Sequence, residues 1–75
     1  MRDSLRHLIE VAQDVKVFLG KSSYTISDFD SVSYCEFRVS CIGDLRGLLN
    51  LVGSLRVTFR AVDDDLVIRI FDEDI

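Results

Sequence analysis

The chain is 75 residues long, 48% hydrophobic and 29% charged, with a formal net charge of −4. That length makes one domain, which buries only ~60% of its extended-chain surface and folds with a narrow margin. The acidic balance argues against general binding to a phosphate backbone, which needs a dominant basic surface. No apolar run approaches the ~20 residues of a membrane span. The amino terminus also lacks the basic flank, apolar run and cleavage site of a signal peptide, so a cytoplasmic location is the expectation. The high apolar content fits either an obligate partner or homodimer, or simply a well-filled core.

Asp3 or Ser4 can cap a first helix. Leu5, Leu8, Ile9, Ala12, Val15 and Leu19 follow at three- and four-residue spacing, with Val11 and Phe18 widening the stripe. Gly20 is placed to end the helix in a left-handed conformation. The β-branched Val15 and Val17 weaken its last turns, so residues 15–19 have a short strand as their alternative. Residues 22–33 are dense in Ser and Asp and read as turn or loop, with a short edge strand over residues 24–27. A long strand follows, with Cys35, Phe37, Val39 and Cys41 inward and Tyr34, Glu36, Arg38 and Ser40 outward. Gly43 breaks it, Asp44 caps a second helix over residues 45–52, and Gly53 ends that helix. Its stripe is Leu45, Leu48, Leu49 and Val52, and Gly47 weakens it, so it depends on packing.

Residues 55–71 read as a β-hairpin. Leu55, Val57, Phe59 and Ala61 alternate with Arg56, Thr58, Arg60 and Val62. In the second arm Leu66, Ile68 and Ile70 share one face, and Val67, Arg69 and Phe71 the other. Asp63, Asp64 and Asp65 suit the turn between them. A one-residue slip would mix the faces. The predicted pairing therefore sets Val62 against Val67 and Phe59 against Ile70. It also places Arg60 opposite Arg69, a like-charge pair for which Glu36 is the nearest relief.

The expected fold class is α+β: a two-layer sandwich with two helices on one face of a three- to four-stranded, mainly antiparallel sheet. The order is α-(β)-β-α-β-β. Residues 4–11 resemble residues 44–51, and Phe37-Arg38-Val39 resembles Ile68-Arg69-Ile70, which suggests an αββ unit used twice. The predicted core is Leu5, Leu8, Ile9, Ala12, Val15, Cys35, Phe37, Val39, Leu45, Leu48, Leu49, Val52, Val57, Phe59, Ile68 and Ile70.

Nothing in this pattern points to catalysis. Cys35 and Cys41 lie ~20 Å apart along one strand, too far for a disulfide, and are expected to be buried free thiols. His7, the lone histidine, projects from the polar side of the first helix with no nucleophile or orienting acid indicated beside it. An EF-hand loop beginning at Asp28 would need a glycine at Ser33 and a glutamate at Val39. The glycines match no phosphate-binding loop. No cofactor, metal set or enzyme activity is expected.

Two groups of residues are candidates for recognition. Tyr34, Arg38, Arg56, Arg60, Arg69 and Phe71 fall on the outer sheet face, and aromatics and arginines are enriched at protein interfaces. Asp63, Asp64, Asp65, Asp72, Glu73 and Asp74 carry the acidity, so residues 63–75 sum to −5 and the rest to +1. These acids sit at the turn and beyond the last strand, at opposite ends of the hairpin unless the tail folds back.

The expectation is a small non-catalytic protein-interaction domain, an inhibitor or adaptor that occludes a basic or nucleic-acid-binding partner. The alternatives are a single-stranded nucleic-acid binder using the arginine–aromatic face and a purely structural subunit of a larger complex. Self-association as a homodimer is expected through the outer sheet face, with pairing on the edge of the last strand as its variant.

Overall fold

A computed structural model describes residues 3–74, with side chains from residue 5 onward. The elements run α1 (Asp3–Leu19), β1 (Thr25–Phe29), β2 (Val32–Val39), α2 (Leu45–Val52), β3 (Leu55–Val62) and β4 (Asp65–Asp74). This is the α+β order expected, with four strands and every pairing antiparallel. The capping role of Asp3 or Ser4 falls on side chains outside those described.

The first helix runs through residues 15–19 without changing to strand. Its end is fixed by Gly20 at φ 69°, whose amide reaches the Val17 carbonyl while the Lys21 amide reaches that of Lys16. Those two bonds satisfy carbonyls that the last turn leaves open, which offsets the weak propensity of the β-branched residues. Asp44 caps α2 by accepting from the Gly47 amide at 2.9 Å. Gly53, at φ 65°, closes it by donating to the Leu49 carbonyl.

The short edge strand expected over residues 24–27 is present as β1 at 25–29, and β2 starts at Val32 within the expected loop, so the two form a hairpin. Phe29 pairs with Val32 across a two-residue turn in which Asp30 and Ser31 both take positive φ. Glycine and asparagine are the usual residues for such a turn, so its signal is weak in the sequence. Asp28 helps hold it, accepting from the Ser33 hydroxyl at 2.7 Å.

The sheet order is β1-β2-β4-β3. Each helix precedes a hairpin, and the second strands of the two hairpins meet at the centre. Phe37 and Ile68, equivalent in the sequence alignment of the halves, stand directly opposite each other there. The topology thus has an approximate twofold axis between β2 and β4, although α1 has 17 residues and α2 has 8.

Both helices cover one face, with α1 against β2 and β4 and α2 against α1 and β3. Leu8, Ala12, Val15, Cys35, Leu48, Ile68 and Ile70 are wholly buried between the layers. Each large aliphatic there contributes about 1.5–3 kcal/mol of burial. Val11 and Leu55 join the core, whereas the predicted members Leu45, Leu49 and Phe59 are 49%, 41% and 41% exposed. Their pattern marks the correct face, but α2 is too short to cover the outer end of β3. Cys41 is exposed because β2 stops at Val39 and the chain turns out of the sheet.

The hairpin register differs from expectation by two residues. Val62 pairs with Asp65, Phe59 with Ile68 and Val57 with Ile70. The turn is only Asp63-Asp64, because Asp63 accepts φ 56° and Asp65 joins the strand. A shift of two keeps every side chain on its expected face. It also removes the Arg60–Arg69 clash: Arg60 faces Val67 and Arg69 faces Thr58.

Candidate interaction surface

Among the described residues no helix lies over the outer face of the sheet, and alternation along the strands decides which side chains reach it. Three cross-strand sets organise it. Arg69 donates from Nε to Glu36 Oε1 at 2.8 Å, from directly opposite on β2. That bond pushes the Arg69 pKa still higher. Arg38 donates to Asp65 at 2.8 Å and lies 3.6 Å from Asp63. Arg56 donates to Glu73 and places its guanidinium 4.0 Å from the centre of the Phe71 ring.

The rings themselves are in tilted contact. Tyr34 and Phe71 are 5.2 Å apart between centroids, and Arg69 lies 5.1 Å from the Tyr34 ring. Phe71 is only 6% exposed and Val67 8%, so neighbouring long side chains bury them without a second layer. Phe71 is therefore a structural centre of this face and not an exposed contact residue, contrary to expectation. Tyr34, Arg56 and Arg69 are half-buried, and Arg38 and Arg60 are exposed.

The arginine and acidic groups, separate in the sequence reading, interlock here. Asp63 and Asp65 meet Arg38 at the turn end, and Glu73 meets Arg56 at the other. Asp74 accepts from the Ser54 hydroxyl at 3.0 Å. Asp72 is half-buried. The two acidic clusters stay at opposite ends of β4, so they form no continuous acidic surface. Asp64 projects from the turn with no polar partner among the described residues, and Arg60 likewise makes no ion pair with any described residue.

Glu36, expected to relieve Arg60 and Arg69, engages Arg69 alone of the two. Beside it, a recess of about 350 Å³ opens where β1 begins at Thr25, opposite Glu36, while β2 continues to Val39. Lys21, Ser22, Tyr24, Thr25, Glu36 and Arg38 are among its walls. Tyr24 is held by ring contact with Phe37 at 5.4 Å and by the Gln13 amide, which donates to its hydroxyl.

Among the described residues no cluster of His, Cys, Asp and Glu could hold a metal ion. No described helix is long and apolar enough to cross a membrane. His7 is exposed on α1. No protein-family model, curated protein or solved structure matches the chain.

Proposed function

We propose that this is a small non-catalytic protein-interaction domain that docks on a partner protein through the outer face of its sheet, as an inhibitor or adaptor. The observation that carries this reading is the state of the arginines. Arg38, Arg56 and Arg69 are each engaged by a carboxylate of the same chain. Such pairs lower the attraction for a polyphosphate, which binds by charge. They also hold the forked donors in fixed positions, so less side-chain entropy is lost on binding a protein.

The exposed Arg60, the Asp63-Asp64 turn and the recess beside Glu36 frame this surface. The turn's acids steer a basic partner, whereas the half-buried Tyr34, seated on Phe71, contributes contact area. This favours a protein over single-stranded nucleic acid as the ligand.

The test is capture from a host extract with the native chain, Arg60→Glu, Asp63→Asn/Asp64→Asn and Arg6→Glu, the last on the exposed side of α1. One protein partner should be retained by Arg6→Glu and weakened roughly tenfold by Arg60→Glu, as for loss of an interface anchor. The turn variant should lower capture mainly at low salt. Recovery of nucleic acid alone, or a partner indifferent to Arg60→Glu but lost with Arg6→Glu, contradicts the reading.

A further inference from the structure

The sheet has two free edges, and they are not alike. On β1 the edge is short, five residues, and Asp28 sets a carboxylate on its helix-facing side. Short length and an inward charge are the usual protections against pairing with another chain. The other edge, β3, has eight residues and no proline; its two charges, Arg56 and Arg60, lie on the outer face, and its register shift is confined to the Leu55–Val57 end. β4, the expected pairing edge, lies inside the sheet and has none free.

The hairpin fixes which β3 groups are unpaired. In a two-residue loop the flanking pair, Val62 and Asp65, exchanges both backbone hydrogen bonds. Counting back by twos, Arg60 and Thr58 also face β4. Val57, Phe59 and Ala61 therefore turn their N–H and C=O groups to the open edge.

The apolar surface beside that edge points the same way. Residues two apart on a helix lie roughly half a turn round from each other. Gly47 sits on the α1 side of α2, where a Cβ would come 2.9 Å from Phe18 Cζ. Leu45 and Leu49 consequently project to the opposite flank, the β3 side, where Phe59 also lies exposed on the helix-facing surface.

We infer that a second copy of this chain pairs along β3, antiparallel and centred on Phe59, to make a continuous eight-stranded sheet. The register follows from hydrogen-bond parity, charge and overlap, since centring on Val57 or Ala61 would pair fewer residues of β3. Centring on Phe59 opposes Phe59 to its copy, Ala61 to Val57 and Arg60 to Thr58. Centring on Thr58 would oppose Arg56 to Arg60, and centring on Arg60 would oppose it to itself; like charges directly opposite are unfavourable. A twofold axis normal to the sheet keeps both α2 helices on one side, so Leu45 and Leu49 of each copy cover the paired Phe59 residues. A foreign strand would satisfy the same amides but bring no such cover. The outer face stays open, so this dimer does not depend on the proposed partner surface.

Sedimentation equilibrium and disulfide trapping test it, all trapping variants carrying Cys41→Ser. The native chain should weigh as a dimer at micromolar concentration. Ala61→Pro should be a folded monomer by circular dichroism, because the lost N–H points away from β4. Phe59→Cys should cross-link on mild oxidation, since opposed residues of a hydrogen-bonded pair have Cα atoms ~5.5 Å apart, within disulfide reach. Ile26→Cys, on the β1 edge, should not. A native chain that is monomeric at high micromolar concentration overturns the inference. So does a dimer that survives Ala61→Pro, or one that cross-links through Ile26→Cys in place of Phe59→Cys.

Discussion

The two cysteines show how one residue type divides by environment. Burial pushes the Cys35 thiol up to about 12 from an ordinary 9.0, whereas Cys41 lies exposed beyond β2. In the native chain a water-soluble disulfide reagent should therefore titrate one thiol quickly and the second only on unfolding. The same shift has a consequence for stability. The folded state disfavours the thiolate, so the contribution of Cys35 is complete below pH 9. It is then lost as pH rises toward 12, at about 1.4 kcal/mol per pH unit. Urea unfolding at pH 8 and pH 10.5 should show a larger loss for the native chain than for Cys35→Val; equal losses would contradict it. Reading both cysteines as buried needed only alternation, and alternation does not say where a strand stops. The same limit applies to Asp30, Ser31 and Asp63, whose positive φ values have no glycine to announce them.

At the scale of elements, α2 depends on a conflict between propensity and capping. Gly47 is a poor helix residue, yet an alanine Cβ there would lie 2.5 Å from Asp44 Oδ2 and 2.9 Å from Phe18 Cζ. Alanine gains up to about 1 kcal/mol in propensity. In the native background it displaces the Asp44 cap, itself worth about 1 kcal/mol, so Gly47→Ala should be nearly neutral. In an Asp44→Ala background the cap is already gone, and Gly47→Ala should stabilise by about 1 kcal/mol as Phe18 swings outward. Thermal unfolding of the four chains measures this coupling, and equal effects in both backgrounds would contradict it. The hairpin over residues 55–71 illustrates what pattern can settle. Period-two alternation assigns Phe59 and Ile70 to one face and Arg60 and Arg69 to the other in either of two registers two residues apart. Only the left-handed Asp63 selects between them.

For the molecule as a whole, element order and class were readable because each segment has one strong period and a glycine or aspartate at its boundary. The limits of β1 and its tight turn into β2 were less so, since residues 25–29 carry no regular alternation and are exposed throughout. The candidate surface was half readable. Alternation named the outer arginines and aromatics, but their pairing with Glu36, Asp65 and Glu73 depends on which strands are neighbours, and β4 between β2 and β3 is a property of topology. That pairing turns an apparently basic patch and two acidic clusters into one charge-balanced face around Tyr34 and Phe71. The most direct test of this face as the docking surface is nuclear magnetic resonance of the isotope-labelled chain, titrated with its captured protein partner. Backbone amide shifts should concentrate on Tyr34, Glu36, Arg38, Thr58, Arg60 and Arg69. Shifts confined to the exposed side of α1, around Arg6, Glu10 and Gln13, with the sheet unperturbed, would contradict the account.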